Sequence, residues 1–548
     1  MRRGCGSPPS FHTMSTLQDN GLVKVKDMAL ASPFILSAAA FLLVACLIRF
    51  VLIRPSKLDL PVVDIPDGDA TKALITGSAK YPDTPWILPL VPPIVILPLS
   101  SLDEVRNLPE NKVSFTKEVY RMFIGRYTGI GHDSPVLIKT VKVDLTRHIA
   151  STLRALQDEM RYGLDKEFGP CEDWTSVNLY SKLLRIVALL SGRVFVGRPL
   201  SRNEEWIDIS IKYTMDCSAS RTGILKYPGW LRPFVAPFIP EVRKLNEHKV
   251  VGKRLLKPLM EVCSRRFNEG KVEIDEEFDD EQGTFVTWMM KYMDEKTRAD
   301  SDSLAAQQLT LSFAAIHTTT MATSHAIYDL VTHPEYIRPL REEIDRVMEE
   351  DGYEVDDENP HLKNLNKASL PKLKLLDSFL KESQRFSPAG YIANSRLTTS
   401  DLSLSTGHTI PKGTRIGFNS HGINSKGPTF QLPAESHLKI APPSEFSPFR
   451  FASLREIPGH ESKHQFVTTS HESMNFGHGS HACPGRFFAG TEIKVVLVEL
   501  LRNWDLRLPA GEEGKEKEGR DRRPSNFVQE VSVIPNPFAE VEFRRRKV

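Results

Sequence analysis

Apolar positions along the chain follow a helical rhythm far more often than an alternating one. The run from Leu304 to Val331 is long, largely apolar and helical in character. Helical spacing also covers Asp144 to Phe168 and continues to Val196, then Ile207 to Gly229, Pro233 to Asn268, and Glu492 to Leu501. Ser369 to Arg385 reads as a further helix, with Ser369 as N-cap, Pro371 in the first turn and Pro388 as the stop. Strand character is concentrated in Trp86 to Leu99, rich in Ile, Leu, Val and Pro, which predicts a small sheet near a membrane surface. Ile274 to Gln282 is an acidic connection, and Gly511 to Pro524 is charge-dense without an apolar anchor, an exposed hairpin loop. The pattern predicts a mainly α chain with a smaller β portion, without internal repeats, a dinucleotide fingerprint or a P-loop.

One apolar stretch has a different meaning. Met28 to Ile48 is 21 residues without a formal charge, followed by Arg49, Arg54 and Lys57. That length spans a bilayer as a helix. A cleaved signal is the rival, but the stretch is long for one and begins far from residue 1. The expected organisation is a tail over 1–27, a transmembrane anchor over 28–48, a hinge over 49–66 and a catalytic domain over 67–548. Charge does not set the orientation, because Arg2, Arg3, Lys24 and Lys26 precede the span much as three cations follow it.

The chemistry centres on one cysteine in a glycine-rich loop, Cys483 within FGHGSHACPGRFFAG, with a helix directly after it. Gly477 and Gly479 let the backbone turn back, and Gly485 permits close approach of a flat ligand. A helix N-terminus and nearby N–H groups favour a thiolate, which suits an axial ligand of haem iron. The alternative is a buried free cysteine.

Phe476, Gly477, Gly479, His481, Cys483 and Gly485 fill the six fixed places of the haem-binding signature of the cytochrome P-450 family, which this stretch resembles. The resemblance covers roughly residues 60 to 548. It implies that Cys483 is the axial ligand of haem b, that His481 contacts a haem propionate, and that Phe476 shields the thiolate. Glu382 and Arg385 lie three apart on one helix face. Read alone they are a solvated surface pair. With Phe446-Ser-Pro448-Phe-Arg450-Phe451 they resemble the family's Glu-x-x-Arg and Phe-x-Pro-x-Arg-Phe elements, which implies a buried ion network of Glu382, Arg385 and Arg450 behind the haem. Arg396 is either a propionate-binding residue by the same resemblance or a surface arginine. Arg147 and His148 are candidates for the second propionate, but the tryptophan usual in that helix is missing, and neither is assigned.

Phe313 to Thr320 is similar to the family's distal Ala-Gly-x-[Asp/Glu]-Thr motif, with departures. Ala314 and Thr318 match, Ala315 replaces Gly, and His317 replaces the acid. The resemblance makes Thr318 the oxygen-activating hydroxyl. For His317 three roles stay open: proton relay, a bond to a helix carbonyl, or recognition of a polar group on the substrate. Three successive threonines suit a helix only if their hydroxyls bond backward, and a local widening is expected there. Phe313, Ala314, Ile316 and Tyr391 are the expected pocket walls, implying an apolar substrate.

The expected enzyme is therefore a haem-thiolate monooxygenase of cytochrome P-450 fold on the cytosolic face of the endoplasmic reticulum. It would use O2 and take electrons from NADPH through a separate NADPH–cytochrome P-450 reductase, since the chain has no flavin or nicotinamide segment. The His317 variant resembles fungal members acting in terpenoid and indole-terpenoid pathways, and a polyketide is a further substrate class. The rivals are a haem-thiolate isomerase or dehydratase without reductase, and a non-catalytic membrane haem sensor. Composition agrees. With 71 basic and 69 acidic residues there is no global field for nucleic acid. Six cysteines without paired spacing suggest a reducing compartment.

Overall fold

Short strands and long helices segregate, as the two rhythms predict. The computed structural model describes residues 58–269, 283–355, 363–428, 439–509 and 522–547, with three isolated positions before residue 58. The anchor expected over Met28 to Ile48 lies outside them, apart from Ser37, Phe41 and Val44. The acidic stretch Ile274–Gln282 and most of Gly511–Pro524 also lie outside. Among the described residues no helix is long and apolar enough to cross a membrane. Leu60–Val548 forms one compact unit and Met1–Asp59 a second. Pro61 and Val63, inside the stretch read as a hinge, are hydrogen-bonded to Ile87 at 2.8 and 3.0 Å and so belong to the larger unit.

The first sheet joins β1 (Trp86–Leu88), β2 (Ile94–Leu97), β3 (Val113–Ser114), β5 (Ile392–Thr398) and β6 (Arg415–Asn419), in the order β1-β2-β6-β5-β3. Trp86 faces Ile96 across the antiparallel β1–β2 pair, while β6 runs parallel to β2 with Gly417 opposite Ile96. A bulge between Ile416 and Phe418 sets the register of β6 on β5, with Ile416 opposite Arg396. Trp86, expected near a membrane surface, is only 2% exposed and packs on Leu74 and Gly77. A second sheet pairs β8 (Glu540–Arg545) with both β7 (Trp504–Arg507) and β4 (Thr175–Asn178).

The helical body is built from α1 (Thr146–Phe168), α2 (Leu179–Phe195), α3 (Glu204–Leu225), α4 (Pro240–Glu269), α5 (Ser301–Thr332), α6 (Ile337–Asp351), α7 (Lys374–Phe386) and α8 (Arg486–Asn503). Asn178, Asn203 and Asp300 cap α2, α3 and α5 through side-chain oxygens accepting from Ser181, Trp206 and Ser303 N–H groups. One apolar core joins Leu156 and Met160 of α1, Ile186 and Leu190 of α2, Ile327 of α5 and Val496, Leu497 and Leu500 of α8. Each such side chain contributes on the order of 1.5–3 kcal/mol by leaving water.

The helix expected from Ser369 is broken. Leu370–Lys372 is a single 3-10 turn, and α7 begins only at Lys374. Ser369 makes no capping bond to it. The free N–H groups of Leu375 and Leu376 are instead taken by the Glu343 carboxylate of α6, at 2.7 and 2.9 Å.

Glu492 in α8 is fully buried. One oxygen accepts from Ser191 Oγ of α2 at 2.9 Å, and the other has no partner. Burial pushes its carboxyl from 4.5 up to about 8. Between those two values the unfolded chain has released the proton and the native chain still holds it, so stability falls as pH rises through the window. Glu492→Gln keeps the Ser191 contact and has no proton to lose. Its thermal midpoint should vary less between pH 5 and 8 than that of the wild type, and should equal or exceed it at pH 8. A variant melting far below wild type at pH 8 would contradict the buried neutral acid.

Candidate active site

The cysteine loop is shaped by two residues in left-handed conformations, Gly477 at φ +70° and Gly479 at φ +82°. At Gly479 a Cβ would stand 2.5 Å from the Arg106 carbonyl oxygen, so no other residue fits. Gly477 N–H bonds Met474 O, and Cys483 N–H returns to Phe476 O at 2.7 Å. The Phe476 ring packs edge-on to Phe466 at 5.3 Å. Gly485, at φ −88°, is the N-cap of α8, and a Cβ there would find nothing of the protein nearer than 3.9 Å. The backbone therefore does not demand glycine at 485; open space lies beside it.

Among the four described cysteines, Cys171, Cys217 and Cys263 are buried and Cys483 is exposed. Burial by the surrounding loop still pushes its thiol above the ordinary value, against the opposing pull of the Gly485 N–H, the Arg486 guanidinium and the Arg486 N–H. The helix-end contribution expected from sequence is present but outweighed. A metal bond is what deprotonates such a thiol outright.

The long helix α5 offers a matching opening. Between residues 307 and 332 only Ala314 and Thr318 are exposed, one turn apart on the same face of an otherwise enclosed helix. Thr318 Oγ1 donates to Ala314 O at 2.7 Å, and Thr320 and Thr323 bond backward in the same way to Ile316 and Thr319. The helix stays α-helical throughout, without the expected widening. Phe313 meets Phe123 edge-on at 5.0 Å. His317 is turned to helix α3, its Nε2 donating to Ile211 O at 3.0 Å, and burial holds its pKa below the ordinary imidazole value.

Two expected pocket walls are corrected. Ile316 is 1% exposed and sits among Leu184, Val187, Ala188, Ile207 and Ile211, because it lies about 200° around the helix from Ala314. Tyr391 packs onto the Val63–Trp86–Ile96 cluster of the first sheet and against His421 at 4.8 Å. Sequence reasoning missed Phe123, which follows a short helix and belongs to no motif.

Arg396 is 5% exposed, under Phe115, with bonds to Ser395 O at 2.7 Å and His481 O at 3.4 Å. Burial lowers its pKa to about 10. Among the described residues no carboxylate lies within ion-pair distance of it. His481 Nε2 donates to Leu108 O at 3.1 Å, and Nδ1 stands 3.5 Å from Glu110. His148 stacks on Trp288 at 4.4 Å, and Arg147 is exposed.

Behind the loop, Glu382 is fully buried and accepts from Arg385 Nε and Nη2, both at 2.9 Å, from Arg450 Nε at 3.2 Å and from Ser447 N–H at 2.9 Å. Arg385 and Arg450 complete their bonding on the carbonyls of Asn424, Pro442 and Glu445. A separate crevice of about 820 Å³ runs beside Trp86, Phe418 and Lys463. Neither Cys483 nor Thr318 lines it, so it is not the space between the cysteine loop and α5.

An open thiol, a helix face cleared of large side chains and a buried guanidinium without a carboxylate fit a flat, iron-bearing ligand that carries acid groups. The comparisons with known proteins agree. The cytochrome P-450 family profile matches residues 176–530. The chain is 52% identical over 518 residues to the cytochrome P-450 monooxygenase ascG of Acremonium egyptiacum, covering 93% of this chain and 96% of that one. It is 39% identical to the cytochrome P-450 monooxygenase BOA7 of Botryotinia fuckeliana, covering 90% and 91%. It is 34% identical to ataF of Aspergillus terreus, covering 91% and 94%. The chain belongs to the cytochrome P-450 family and is a cytochrome P-450 monooxygenase.

Proposed function

We propose that the enzyme hydroxylates, or oxidises further, an apolar small molecule of fungal secondary metabolism, a terpenoid, indole-terpenoid or polyketide. Its electrons come from NADPH through a separate NADPH–cytochrome P-450 reductase. The observation that carries this reading is the paired opening at Ala314 and Thr318 in an enclosed helix, together with the open thiol of Cys483. The edge-on rings of Phe123 and Phe313 support an apolar guest.

Cys483 would hold haem b, with Arg396 and His481 available to its acid groups, and the bound haem would supply the O2 activation that puts one oxygen atom into the substrate and the other into water. The protein's part is placement. Thr318 donates its hydroxyl hydrogen to Ala314 O, which leaves its oxygen free to accept a hydrogen bond and so hold a water, the proton donor, at the distal face. Of the roles open to His317, a bond to a helix carbonyl is the one supported: it pins helix α3 to α5, and proton delivery falls to Thr318 and water. We place the enzyme at the endoplasmic reticulum membrane by a single-pass anchor over residues 28–48, on the strength of that uncharged stretch. Trp230, Phe234 and Phe238, all exposed, together with Arg232, suit a second contact with lipid.

The test is turnover with reductase and NADPH under O2. Thr318→Ala should lower product per NADPH several-fold and raise hydrogen peroxide to match. His317→Ala should mainly weaken the substrate-induced spectral shift, with coupling near wild type at saturating substrate. Unchanged coupling in Thr318→Ala would overturn the assignment of the distal hydroxyl, and equal uncoupling in both variants would restore His317 as a relay.

A further inference from the structure

The place between Gly477 and Gly479 is free in the haem-binding signature, and here it holds His478. Its ring is engaged on both sides. Arg106 Nη1 donates to Nε2 across 2.7 Å, and a guanidinium has no acceptor to offer in return. Nε2 therefore carries no hydrogen, and the one ring hydrogen sits on Nδ1, directed at Thr469 Oγ1 at 3.1 Å. Burial and then the Arg106 charge keep the ring's pKa below the ordinary value, in line with this neutral tautomer.

The backbone of the same residue is gripped as fully. His478 N–H donates to Asn394 Oδ1 at 2.8 Å, and Asn394 Nδ2 donates back to His478 O at 3.3 Å. Asn394 does this from φ +51°, a left-handed position in β5 that Asn tolerates better than most residues. Arg106 Nε lies 2.8 Å from the exposed Asp103 carboxylate, an ion pair without hydrogen-bond alignment, and the next residue, Asn107, accepts from Ser480 N–H at 3.0 Å. Two segments distant in sequence thus converge on one residue five places before Cys483, Arg106 on its ring and Asn394 on its backbone. The flanking glycines give the loop soft torsions on either side of His478, and these contacts remove that freedom.

We propose that His478 is a positioning residue: the Arg106–His478–Asn394 clasp fixes the cysteine loop so that Cys483 stays bound to iron as a thiolate. The inference rests on Cys483 as the iron ligand. His478→Phe keeps an aromatic ring, somewhat larger, and the backbone bonds but has neither ring nitrogen. His478→Gln restores an acceptor for Arg106 and a donor for Thr469. In the reduced, carbon monoxide-bound holoprotein, the red-shifted thiolate band should decay to the shorter-wavelength thiol form roughly tenfold faster in His478→Phe than in wild type. The Gln variant should decay near the wild-type rate. Arg106→Met should match the Phe variant, and the double variant should be no faster than either. Iodoacetamide should alkylate Cys483 of the haem-free protein faster in the same variants. Wild-type decay and alkylation in His478→Phe overturn the proposal. Should that variant not fold, wild-type behaviour in Arg106→Met overturns it equally. A wild type without any thiolate band would instead remove the Cys483 assignment and leave the clasp without a role.

Discussion

Glu382→Ala is expected to yield little or no folded, haem-binding protein. The carboxylate faces two guanidiniums whose side chains are 6% and 0% exposed, and it also takes the Ser447 N–H. Removing it strands two buried cations, a loss of about 3–5 kcal/mol for breaking a buried pair. Folded proteins hold only about 5–15 kcal/mol in reserve. Glu382→Gln retains an acceptor for one arginine but not the charge, so it should fall between. The readouts are soluble yield and the thermal midpoint by circular dichroism, with haem content as a check. An alanine variant melting within a few degrees of wild type would show that the network is not what holds α7 to the segment before the cysteine loop. Because the network sits behind the loop and does not face the cleft, partial variants should lose stability before they lose coupling of NADPH to product.

What the sequence made legible was local. The cysteine loop could be read because the glycines, the cysteine and the following helix are contiguous, and each is required by backbone conformation or ligand chemistry. The identity of α5 and the backward bonds of Thr318 and Thr320 were legible for the same reason, although the widening expected there is absent. Contacts made at long range were not. Ser369 looked like a cap, but Glu343, 32 residues before Leu375, holds the free amides of α7. Ile316 and Ala314 are both apolar and two residues apart, and only the packing of α2 and α3 tells which one faces the cleft. Tyr391 adjoins the Glu-x-x-Arg helix in sequence, yet the first sheet claims its ring. Phe123 and Arg106 carry no motif, and Arg106 meets His478 across 372 residues. The strand Thr175–Asn178 is too short to show alternation and finds its partner near the C-terminus.

Cys483→Ala has the other large expected effect, since every role assigned above depends on a thiolate at that position. Cys483 is the exposed one among the described cysteines, and its loop, turned at Gly477 and Gly479, places it just before the start of α8. Alanine there should leave the fold's packing intact but removes the atom proposed to bind iron. The decisive measurement is the absorption spectrum of the reduced protein with carbon monoxide, taken for wild type and Cys483→Ala side by side. Wild type should show the red-shifted band of thiolate-ligated haem, and Cys483→Ala should lack that band or lack haem altogether. The same red-shifted band in both proteins would contradict the account.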